Sequence, residues 1–197
     1  MIDGMSKFDN KEQGKRLLKF GLLIVLTPII AGIYGAIHNQ VSSEISPEYF
    51  TKFKIHQFRL TGMYEKGINF NLIVGIIGFQ ATWTLGFPIG FLIGTMSFVR
   101  SRTSEILKNG LIGIATCIFT TFTSGSIGYI IGKMKPTEQI TLDTSRYLFK
   151  YVEQKDKFYL AGSVHNAGYI GAGLGLIIGL IVVYNKTKTA HNKLYNP

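Results

Sequence analysis

The sequence predicts an all-α integral membrane protein with four transmembrane helices in two hairpins and a short interfacial helix in the first outer loop. Three observations predict it. Of 197 residues, 46% are hydrophobic, and the charged ones are gathered into blocks rather than spread along the chain. Phe20 to Ser43, Gly67 to Val99, Asn109 to Gly132 and Phe158 to Asn185 contain no Asp, Glu, Lys or Arg. Each interval exceeds the roughly eighteen residues that a bilayer span requires, whereas a soluble core helix shows a polar face at every turn. Runs such as NLIVGIIGFQATWTLGFPIGFLIGTMSFV favour insertion, because each central Leu, Ile, Phe or Val contributes roughly −0.3 to −0.6 kcal/mol on an insertion scale. The whole chain reads as a single membrane domain with spans at about 17–37, 68–99, 108–132 and 159–184, and outer loops at 38–67 and 133–158.

The chain opens with a basic leader carrying Lys7, Lys11, Lys15, Arg16 and Lys19. The first apolar run is too long for a secretory h-region and lacks a small-residue exit, so it reads as an uncleaved first span. Pro28 within it predicts a kink and a freed carbonyl. The leader, Arg100, Arg102 and Lys108, and Lys186, Lys188 and Lys193 form dense basic segments. The two long loops offset their lysines with seven acids, from Glu44 to Asp156. The positive-inside rule therefore places both termini in the cytoplasm, as a multi-pass protein of the inner (cytoplasmic) membrane. This distribution also accounts for most of the formal net charge of +10. A nucleic-acid partner is excluded, because no basic soluble face interleaved with aromatics is present. The single cysteine, Cys117, permits no internal disulfide and leaves the redox compartment open.

In the first outer loop, Ser46-Pro47-Glu48 has the form of a helix start: N-cap, proline at the first position and an acid in the first turn. On a regular helix Tyr49, Phe50, Phe53 and Leu60 share one side, and Glu48, Lys52 and Arg59 another. Ile55 and Phe58 fall off the aromatic side. Such a helix lies in the interface or folds back onto the bundle.

The second span exceeds bilayer thickness and contains Pro88 and Gln80; an amide at that depth bonds a neighbouring helix or borders a pathway. Small residues recur every fourth position for close packing: Gly86, Gly90 and Gly94; Ser124, Gly128 and Gly132; Ala167, Gly171, Gly175 and Gly179. Such stripes serve internal packing, self-association or docking of other membrane proteins. Leu60-Thr61-Gly62 and Leu160-Ala161-Gly162 echo each other, placing Glu65 and His165 at matching positions of a possible duplication.

The candidate site gathers at the outer face. His38 closes the first span and His165 begins the fourth, each with a tyrosine four residues deeper, Tyr34 and Tyr169. With Glu44, Glu48, His56 and Glu65 at the same face, imidazoles and carboxylates suit zinc or iron. The metal-ligand set is His38, Glu48, His56 and His165, supported by Tyr34, Glu65, Asn166 and Tyr169. No HExxH, Glu-x-x-His or cysteine pair accompanies them, so a hydrogen-bonded structural role for His165 and a solvated role for His56 and Glu44 compete with this reading.

The run YGAIHNQVSSEISPEYFTKFKIHQF, with ATWTLGFPIG and SVHNAGYIG, resembles a family of small bacterial four-span membrane proteins to which no activity is attached. Its relatives carry HDQ where this chain has Asn39, which removes one potential ligand. The resemblance implies the four spans and singles out the loop, but implies no reaction. Three function classes follow: a metal-binding membrane protein, enzymatic or not; a non-catalytic subunit docking to a larger complex; and a transporter or channel component bordered by Gln80.

Overall fold

A computed structural model describes residues 10–135 and 151–195, the side chains of 189–195 excepted. The described residues are mostly helical and include no strand, and four helices are long and apolar enough to cross a membrane. They are α1 (Asn10–Ile45), α5 (Phe70–Arg100), α6 (Ile106–Met134) and α7 (Lys155–Tyr195), with three short helices, α2 (Pro47–Tyr49), α3 (Ile55–Gln57) and α4 (Thr61–Glu65), between the first two. The protein is an all-α integral membrane protein. Most of the second outer loop, residues 136–150, lies outside the described residues.

Three of the long helices, α1, α6 and α7, outrun their charge-free intervals at both ends, whereas α5 starts inside its own. Hydropathy marks the segment that lipid solvates, but charged residues beyond it still form helix until a breaker appears. For α1 the breaker is Ser46-Pro47. Proline disfavours helical backbone at the preceding residue, and Ser46 is extended at φ −149°, ψ 97°. Its hydroxyl then accepts the Tyr49 amide at 3.1 Å, starting α2 as its N-cap. His38 consequently stands inside α1, about two turns before its end. Pro28 and Pro88 sit within α1 and α5 without ending either.

The bundle is two tight hairpins. α1 packs along α5, and α6 along α7, far more extensively than any pair across the hairpins. All eight glycines of the packing stripes lie at these contacts. A Cβ on Gly86, Gly90 or Gly94 would press on α1, one on Gly128 or Gly132 on α7, and one on Gly171, Gly175 or Gly179 on α6. The closest backbone approach is at Gly35 and Gly78, where a Cβ on Gly78 would stand 2.1 Å from the Gly35 carbonyl oxygen. Neither belongs to the sequence stripes.

The end of the bundle nearest the chain termini is tied by basic side chains to helix-end carbonyls. Arg16 donates to the carbonyls of Phe98 and Ser101, and Lys19 to that of Thr103 at 2.8 Å. Cations at the C-terminus of α5 oppose its negative dipole end. An apolar cluster of Leu23, Ile93, Ile106, Ile114 and Val183 fills this half.

At the opposite, loop end, residues 47–65 fold back onto the helices. Tyr49, Phe50, Ile55 and Leu60 pack with Ile73, Val74 and Ile77 of α5 and Phe158 and Ala161 of α7. The regular face drawn from sequence shifts midway, because Phe50–Lys54 forms a π turn in which the Ile55 amide bonds back to the Phe50 carbonyl. A turn closed over five residues aligns 50 with 55 and 49 with 54, so Ile55 and Lys54 turn inward. The proposed echo between Glu65 and His165 has no structural counterpart: Glu65 is exposed on short α4, whereas His165 is buried inside continuous α7.

Candidate functional site

α1 and α7 bring His38 and His165 together, with ring centroids 5.1 Å apart and planes at 86°. Tyr34, one turn along α1, stacks on His38 at 5.8 Å. From the loop, Tyr49 stacks on His165 at 5.0 Å and Phe50 meets it edgewise at 6.1 Å. The folded-back segment is thus a lid over the imidazole pair. Burial within that lid pushes the Tyr49 phenol pKa above its ordinary value, reinforced by Tyr169.

The π turn delivers Lys54 to the same place. It is 4% exposed. Its ammonium donates to Gln57 Oε1 at 3.0 Å and faces four aromatic rings: Phe53 at 5.1 Å, Tyr49 at 5.5 Å, Phe58 at 5.8 Å and Tyr169 at 6.0 Å. Ring quadrupoles attract a cation, which lets this charge sit among apolar groups. Burial still lowers its pKa from 10.5 to about 8. Sequence reasoning missed Lys54, since regular helical spacing puts it off the aromatic side and nothing in FTKFK announces a wide turn.

The four residues read as metal ligands do not converge. Among the described residues no three His, Cys, Asp or Glu side chains are placed to hold a metal ion. Glu48 instead accepts the backbone amides of Glu153 and Gln154 at 3.1 and 2.8 Å, just before α7, where helix-end N–H groups attract a carboxylate. His56 is exposed on α3, its Nδ1 3.2 Å from Thr61 Oγ1. Glu44, Glu65 and Asn166 are exposed, and neither of the last two reaches His165, whose Nε2 is buried without a hydrogen-bond partner. What remains is two imidazoles beside a lysine ammonium, a donor set that suits zinc or iron poorly, because a cation there meets repulsion and no carboxylate.

Two cavities share His38 as a common wall. On the bundle side is a chamber of about 80 Å³, lined by His38, Tyr34, His165, Tyr169, Cys117 and Thr82 among others. The Tyr34 hydroxyl, like His165 Nε2, is buried there without a partner. On the far side is a groove of about 1010 Å³ between α1 and the second hairpin. Its floor is apolar, from Val41, Ile45, Phe122, Ile130, Leu160 and Val164, and its rim carries Glu44, Lys133, Lys135, Asp156 and Lys157. Gln80, read as a partner for a neighbouring helix, is exposed on α5 and lines a third, shallower groove with Gln57 and Tyr169.

These features define a multi-pass α-helical membrane protein with a roofed, largely apolar chamber in its bundle, bordered by two buried polar atoms without partners. No protein-family model, curated protein or solved structure matches the chain, so the features of its own residues carry the functional reading.

Proposed function

We propose that this protein binds a phospholipid in the groove between its hairpins, with the headgroup at the charged rim and the acyl chains on the apolar floor. The carrying observation is the groove itself. Its volume of about 1010 Å³ is large for a ligand site, and it joins an apolar wall to charges of both signs at one level. In this reading the protein sits in the inner membrane with both termini cytoplasmic, and the groove opens to the outer leaflet. The basic side chains tied down at the terminal end support that orientation through the positive-inside rule.

Two competing readings fare less well. A subunit docked through glycine stripes lacks free ones, since the eight glycines at fourfold spacing are engaged inside the monomer. A conduit requires polar lining through the bundle, yet the terminal half is filled by Leu23, Ile93, Ile106, Ile114 and Val183.

The test is native mass spectrometry of protein released from nanodiscs containing phosphatidylethanolamine and phosphatidylglycerol. The expected result is one retained phospholipid per chain, lost or several-fold reduced in Lys133→Glu/Lys157→Glu and in Ile130→Trp, which fills the floor. Equal retention in wild type and both variants overturns the proposal.

A further inference from the structure

The chamber behind His38 carries an inference that stands apart from whatever occupies the groove. Its walls bear two polar atoms without hydrogen-bond partners, His165 Nε2 and the Tyr34 hydroxyl. His165 is only 6% exposed, so bulk water does not satisfy it. Buried polar groups are nearly always partnered, by protein, by water or by a ligand. Most of the chamber's other polar side chains are engaged, Tyr169 being the exception. Thr27, Thr82 and Thr121 donate their hydroxyl protons to the carbonyls of Leu23, Ala31 and Cys117, and Asn39 donates to the carbonyl of Val74. Donors left for an occupant include the two imidazoles and the hydroxyls of Tyr34 and Tyr169.

Charge narrows the occupant. Among the described residues no carboxylate lines the chamber. Lys54 stands over the ring of Tyr49, which stacks on His165, and over the ring of Tyr169, which lines the chamber. Its contacts are one amide and four rings, with no carboxylate among them. A buried ammonium so placed makes the chamber electropositive and is not neutralised by the protein around it. Size narrows it further. A single water needs roughly 10–15 Å³ of such space, so about 80 Å³ admits a small ion with a few waters but no extended organic molecule.

We propose that the chamber binds a small monovalent inorganic anion of halide size, held by N–H groups of His38 and His165 and by the Tyr34 hydroxyl, with Lys54 as the countercharge. His38, which walls both cavities, is the point of entry from the groove.

Bromide is the probe. Crystals of the full chain grown in sodium bromide are examined by anomalous diffraction at the bromine edge, and bromide affinity is measured by calorimetry in detergent at pH 6.5. The expected result is one bromide peak bordered by His38, His165 and Tyr34. Lys54→Met is expected to weaken binding at least tenfold and Tyr34→Phe several-fold, while Lys52→Met, an exposed lysine of the same turn, binds as wild type. Tyr34→Phe removes one oxygen and leaves packing in place, so it reads the site independently of Lys54→Met. A chamber holding only water or a metal ion, or bromide affinity unchanged in both Lys54→Met and Tyr34→Phe, overturns the proposal. Loss of the phospholipid in the groove leaves this result untouched, and the reverse also holds.

Discussion

Lys54 is the residue at which stability and proposed function pull apart. With its pKa near 8 in the folded chain against an ordinary 10.5, the folded form holds a buried charge at full cost below pH 8. Between pH 8 and 10.5 the unfolded chain still binds the proton that the folded chain has released, so stability rises with pH across that window. Across that window the folded chain gains on the order of 3 kcal/mol. Thermal unfolding in detergent should therefore show a midpoint that climbs from pH 8 to 10. In Lys54→Met the climb should vanish and the midpoint at pH 7 should exceed that of wild type. Arg59, nearby in the same loop, carries backbone strain. It lies at φ 58°, between the end of α3 and Leu60, whose amide bonds back to the Ile55 carbonyl at 2.9 Å. Left-handed backbone at that position suits glycine and costs other residues roughly 1 kcal/mol. Arg59→Gly should raise the unfolding midpoint at neutral pH by a few degrees, and an unchanged or lower midpoint would refute this account of the turn.

At the scale of elements, the spans, the Ser46-Pro47 helix start and the small-residue stripes are legible in the sequence, because each depends on local chemistry: transfer into lipid, an unsatisfied N–H, the bulk of a Cβ. The lengths of α5 and α6 are legible to within two residues at each end, but those of α1 and α7 are not, since hydropathy stops where lipid stops. Nor is the π turn, and with it goes the whole inward placement of Lys54 and Ile55. The imidazole pair was readable in outline from the matching depth of His38 and His165. Glu48 and His56 look like ligands by type but are used otherwise, as a tether and on an exposed helix. The tightest contact, Gly35 against Gly78, belongs to two different helices, and a one-chain pattern does not show which glycines will meet. Gly78→Leu should force α1 and α5 apart, because a Cβ there has no room against backbone, and overpacking of this type costs roughly 1–3 kcal/mol or more. Gly173→Leu, with nothing within 4 Å of its added Cβ, is the control and should unfold as wild type. Comparing their midpoints in detergent decides whether backbone contact, rather than helix propensity, holds the first hairpin together.

For the molecule as a whole, the two hairpins are each tight and only loosely joined, and the joints lie at opposite ends. At the terminal end the joint is the apolar cluster, to which α1, α5, α6 and α7 all contribute. At the loop end it is the lid, and the lid is tied to α7 by Glu48 through two amides that no other acceptor serves. Carboxylate-to-amide bonds are the stronger kind, about 1.5–3 kcal/mol each for bonds to charged groups, less at an exposed site such as this one. Glu48→Ala should therefore loosen the loop end selectively. Hydrogen exchange should quicken at the amides of Glu153 and Gln154 and along residues 49–57, where Tyr49 covers His165, while amides around Leu23 and Ile114 keep their protection. An opening confined to the lid would also admit solvent to the chamber, so bromide should exchange faster in this variant without loss of the fold. Uniform deprotection of both ends would instead mean that the hairpins separate as one cooperative unit and that the lid has no independent motion.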